Sequence, residues 1–213
     1  GAVNDFNLAL HSSAGRLDFG PVVDTTVDVD GAIGAILARS WRGGGIEADT
    51  LSSLTIRRGD LAADLTLTNV AGRNIALGSM NVKGWIDGAG IRVDGGVRSL
   101  AAWGMRQANL FLGMAPAVVT LPDDAADFQR RCTLHSFSLA GVPGAAASFI
   151  DSGVAAWSIL SARLTDAQLD NGGVPTGLAA HDIANLRLVQ GGRSYSFPGR
   201  WLANPDDLVV RLV

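Results

Sequence analysis

The sequence predicts an all-β chain, a single-stranded parallel β-helix (solenoid) of about seven turns with capping segments at both ends. Three observations predict it. Short apolar runs are punctuated by 27 glycines. No stretch sustains a capped 3.6-residue apolar period; the best helical candidate is a turn or two within Pro122 to Arg131. Third, a six-residue pattern recurs along the chain with small residues in fixed places.

The pattern is apolar-x-small-apolar-x-apolar, and seven copies start at Ile33, Leu51, Leu77, Val97, Leu134, Val154 and Ile183. Their third positions are Ala35, Ser53, Ser79, Ser99, Ser136, Ala156 and Asn185. The eighth positions are also mostly small, from Ser40 to Gly141 and Ser161. A further apolar residue, Ile46, Leu65, Ile91 or Leu110, follows thirteen or fourteen places after the start in the first four copies. On a strand, Leu54 and Ile56 share a face, but Leu51 has the wrong parity to join them. A corner at the small residue resets the parity, so all three face one core.

Successive starts lie 18, 26, 20, 37, 20 and 29 residues apart, lengths for one turn each with loops of varying size. At about 4.8 Å per turn the repeats would make a rod roughly 35 Å long. The longest interval holds an excursion at 114–131, with Pro116, Pro122 and an acidic cluster. Residues 1–30 lack the repeat; there Val23, Val27 and Val29 alternate with Asp24, Asp28 and Asp30 as a half-solvated strand that would cap one end. Residues 191–213, with Pro198, Trp201 and Pro205, form a last turn or cap. The whole chain reads as one domain, with repeats over 31–190. The competing architecture is an antiparallel β-sandwich, for which Asp94-Gly95-Gly96 could turn a hairpin.

The net charge of −3 and the pI near 5.5 lack the basic footprint of a nucleic-acid binder, so no nucleic acid is expected as partner. No apolar run reaches the length of a membrane span, and no cofactor motif appears. Cys132 is the one cysteine, which precludes an intrachain disulfide. Gly1-Ala2 without a methionine is what a piece cut from a longer chain would show.

Asp123, Asp124 and Asp127 are candidate ligands for calcium or sugar hydroxyls, set against the simpler role of a helix start stabilised by negative charge. Trp41 and Trp85 occupy the ninth position of their turns and would stack on a sugar if they face out; burial under a loop is the simpler account. Trp157 falls in an inward position. A solvated face accounts for Asp24, Asp28 and Asp30, and the corner accounts for Gly59 in Arg58-Gly59-Asp60. Cys132 and His135 lack the second pair a zinc site needs. The histidines suggest no catalytic set, and Asp123, Asp124, Arg130 and Arg131 are the one local group resembling acid/base machinery.

The segments LSSLTIRRGDLAADL and LGSMNVKGWIDGAGI resemble the β-solenoid repeats of large secreted or cell-surface bacterial proteins, including adhesin-like chains of planctomycetes. The resemblance covers about residues 31–190 and implies an extracellular rod, often one module of a longer chain. The function expected is a non-enzymatic structural or adhesive module. Its partner would be a surface glycan or protein, with self-association a further possibility. The alternative is a carbohydrate-active enzyme or carbohydrate-binding module on a parallel β-helix. No catalytic residue and no metal ligand is carried over.

Overall fold

A computed structural model describes residues 2–197 and 206–213. It is all-β: strands follow one another along the chain, and the one helical element among the described residues is a single 3₁₀ turn, Ala125–Asp127. That turn lies inside the segment the sequence marked as its best helical candidate. No helix among the described residues is long and apolar enough to cross a membrane.

Every strand pairing among the described residues is parallel except that of Leu186–Gln190 with Arg193–Phe197. This overturns the antiparallel sandwich. Gly90–Val93, the first arm of the supposed hairpin, pairs in parallel with Leu61–Leu67 and with Asn109–Leu112. Strands running the same way need long return connections, so each partner lies a full repeat away in sequence.

The registers align the apolar positions. Ile33, Leu51, Leu77 and Val97 stand side by side, followed by Leu134, Ile159 and Ile183. Ile36, Leu54, Met80, Leu100, Phe137, Ala162 and Leu186 form a second row. Val27, Ile46, Leu65, Ile91, Leu110, Val154 and Leu178 form a third. These side chains belong to one continuous buried cluster. Ala35, Ser53, Ser79 and Ser99 also lie in register.

Two features of the repeat differ from the sequence reading. The sixth copy starts at Ile159, not Val154, since Ile159 pairs with Leu134 while Val154 pairs with Leu110. Ile159-Leu-Ser-Ala162-Arg-Leu164 carries the pattern in full. The intervals around it then become 25 and 24 residues. Residues 1–30 also join the register: Ala14–Asp18 runs parallel to the Ile33 copy, with Ala14 beside Ile33 and Leu17 beside Ile36. Arg16 occupies the small position there and hides the match. As expected, Val27 and Val29 are buried and Asp24, Asp28 and Asp30 exposed, but Val23 is only half-buried and Val22 takes the inward place instead.

The tightest approach at the corner falls on the second pattern position, one residue before the small row. A Cβ on Gly34 would land on the Gly15 carbonyl oxygen, and one on Gly78 on the Ser52 carbonyl oxygen. A separate corner was not legible. Asp5, Asp24, Gly43, Gly88, Gln107 and Asp151 all have φ between 42° and 72°. Backbone bonds tie the corners of neighbouring strands, as Asp5 N donates to Val23 O and Gln107 N to Ile150 O. The left-handed step reverses parity, so Val22 and Thr25 are both buried on either side of Asp24.

Candidate functional site

The acidic candidates separate. Asp124 caps the 3₁₀ turn, its Oδ1 accepting from Ala126 N at 2.8 Å. Asp123 is exposed, and Asp127 is engaged through its backbone carbonyl, which accepts from Ala115 N at 3.0 Å. Among the described residues no three His, Cys, Asp or Glu side chains are placed to hold a metal ion. Asp124 thus serves the excursion itself, whereas Arg130 and Arg131 turn to other partners.

Trp41 and Trp85 share no row. Trp41 pairs with Leu61 and is 0% exposed, its Nε1 donating to Gly43 O at 3.1 Å and Thr25 O at 3.3 Å. It is a core residue and cannot stack on a ligand. Trp85 pairs with Gly104, one residue short of the buried row, and is half-buried. A Cβ on Gly104 would strike the Trp85 ring at 2.6 Å, and the Arg106 guanidinium sits 5.1 Å from the ring centre. Arg106 is held there by two bonds to Asp87, at 2.7 and 2.8 Å. Trp85 is therefore already stacked. Trp201 lies outside the described residues, as do Pro198 and Pro205.

Trp157 reverses its expected direction. Val154 and Ala156 point into the main core, while Ala155 and Trp157 face outward beneath the excursion. There Phe111, Met114, Phe128, Ala155 and Ala179 form a second apolar cluster, with Val118, Leu121 and Trp157 at its margin. Arginines fasten the excursion over it: Arg92 donates to the carbonyls of Ala115 and Val118, and Arg211 to those of Leu121 and Pro122. The Trp157 ring lies flat against His181, with centres 4.3 Å apart at 9°. The Arg131 guanidinium is 4.8 Å from the centre of the same ring, and the Phe128 ring stands at 90° to it with centres 5.9 Å apart.

Beside this layer opens a cavity of about 590 Å³, walled by the loop around Asn69 and Arg73, by Asp94 to Gly96, and by Arg130 to Thr133. Asn69 organises the wall. It is buried at φ 46°, donates to the carbonyls of Arg73 and Asp94 at 2.8 and 2.9 Å, and accepts from Arg73 N at 2.8 Å. Gly95 is required here, because a Cβ would meet Asn69 Nδ2 and Ala76 Cβ at 2.7 Å. Arg73, Arg130, Arg131 and His135 bring cationic or protonatable groups, against one carboxylate, Asp94. Arg130 Nη1 donates to Asp94 O at 3.3 Å, and His135 Nδ1 lies 3.3 Å from Val97 O.

Cys132 lines the cavity but is buried. Desolvation, assisted by the Asp94 carboxylate and opposed by Arg130, pushes its thiol up to about 11.

A second cleft, of about 680 Å³, is lined by Arg42, Arg58, Asp60, Asp87 and Arg106. Here Asp87 pairs with Arg106 and Asp60 Oδ1 accepts from Trp85 N at 2.8 Å, which leaves Arg42 and Arg58 without an ion pair among the described residues. Asp60 is thereby drawn into the structure, so Arg58-Gly59-Asp60 is not a freely presented tripeptide. Comparison with protein-family models, curated proteins and solved structures finds no match to the chain.

Proposed function

We propose that the parallel rows wind as a β-solenoid, and that the chain is a non-enzymatic structural or adhesive module of an extracellular or cell-surface protein, holding a glycan or protein on its side. The observation that carries this reading is where length varies. The interior rows keep register from Ala14 to Ile183, while the extra residues at 68–74 and 114–131 lie outside them and build the cavity and the second apolar layer. A regular core with elaborated flanks suits a scaffold that displays a binding surface. The resemblance of the repeats to those of secreted and cell-surface chains supports the extracellular setting.

The purified chain should be exposed to an array of neutral and acidic glycans, and the retained glycans then assayed for new reducing ends. Retention without new ends is expected. Release of reducing ends would overturn the non-enzymatic reading in favour of a carbohydrate-active enzyme. Failure to retain any glycan would remove carbohydrate from the proposed ligands.

A further inference from the structure

The cavity between the Asn69 loop and Arg130 to Thr133 offers more than a generic basic patch. Its cations come from separate segments, Arg73 from one loop and Arg130 and Arg131 from the end of the excursion, with His135 on the strand region beyond. Among the described residues no carboxylate lies within ion-pair distance of these arginines, a state they share with most of the chain's other arginines. Arg130 spends a donor on a carbonyl and Arg131 lies along Trp157, so both are positioned but keep their charge. This concentration stands in a chain whose net charge is −3.

We infer that this cavity binds the carboxylate or sulfate group of an acidic polysaccharide, with Arg73 and Arg130 as its principal contacts. The inference rests on the adhesive reading above and specifies its ligand class. Guanidinium forks match the planar oxygen pairs of carboxylates and the oxygens of sulfates. The rest of the wall suits a sugar better than an acidic peptide. Asn74 and Thr133 offer uncharged polar groups to hydroxyls, and Ile75 is the one large aliphatic side chain lining the cavity. Asp94 offers a carboxylate acceptor to sugar hydroxyls, which polyglutamate lacks. The volume falls within the range typical of small-molecule sites, about 300–1,000 Å³.

Binding of the full chain to immobilised polygalacturonate, dextran sulfate, uncharged dextran and poly-L-glutamate tests this. Retention on at least one acidic polysaccharide is expected, weakening as salt rises, with dextran and polyglutamate bound far more weakly. The better acidic polymer identifies carboxylate or sulfate as the group taken. Arg73→Glu and Arg130→Glu should each cost about tenfold or more in affinity. Arg163→Glu, on an exposed side chain outside the cavity, should change nothing, and circular dichroism should confirm that all three variants fold. An equal loss from Arg163→Glu, or equal binding of polyglutamate, would overturn the site as merely diffuse charge. Dextran binding as well as the acidic polymers would overturn the inference but leave a glycan-binding module standing. Retention of no polysaccharide at all would overturn both the site and its glycan reading.

Discussion

Trp41 carries its indole wholly inside the molecule, with the Phe19 ring set at 80° to it at a centre-to-centre distance of 5.7 Å and Nε1 donating to two carbonyls. Trp41→Ala would leave a large void and two carbonyls short of a donor. It should cost about 3–5 kcal/mol of unfolding free energy, measured by denaturant titration. Trp85→Ala, which removes a half-buried ring, should cost clearly less; equal losses would contradict the separation of the two tryptophans into different rows. That separation turns on backbone geometry. Leu51, Leu54 and Ile56 were legible as one core face because burial demands apolar side chains at each place. The left-handed corner was not legible, because Asp24, Gly43 and Gln107 share no chemistry beyond accommodation of positive φ. Trp157 was misplaced for the same reason. The step at Asp151 fixes the parity of the strand beyond it; aspartate tolerates positive φ better than most residues, but Asp28, Asp30 and Asp87 do not adopt it, so the residue type alone does not locate the step.

At the scale of an element, the excursion behaves as an external layer with its own anchor points. Met114 and Phe128 are bridged, and Ala115 N donates to Asp127 O at 3.0 Å, so its two ends already lie side by side. Replacing residues 116–126 by a short glycine turn should therefore leave the β-sheet signal in circular dichroism intact. The loss of Val118 and Leu121 from the margin of the second apolar cluster should lower stability by about 1–3 kcal/mol and increase binding of a hydrophobic dye. Collapse of the β signal would show instead that the excursion is needed for folding. The sequence marks this segment as an insertion by its length and prolines, yet does not reveal what it covers. Phe111, Ala155 and Ala179 come from strands far apart in the chain, and only the parallel pairing brings them to one face. The cavity was illegible for a related reason, since its walls gather three short segments that share no motif.

At the scale of the molecule, most strands contact just the strand before and the strand after in the ladder, so stability is passed between neighbours. Hydrogen exchange should reflect this. Amides of Ser40–Ile56 and Ile75–Asp87, flanked on both sides, should exchange most slowly, while those of Asn7–Leu10 and Leu208–Leu212, each paired on one side among the described residues, should open early. Uniform protection along the chain would indicate a single cooperative unit. One end carries a distinct instruction. Arg193–Phe197 folds back across the positive-φ pair Gly191 and Gly192 and runs against its neighbour Leu186–Gln190. It occupies the hydrogen-bonding edge that a further same-direction strand would need. A second molecule therefore cannot extend that row with a strand of its own running the same way, and edge-to-edge growth through Leu186–Gln190 is halted by the chain's own reversal.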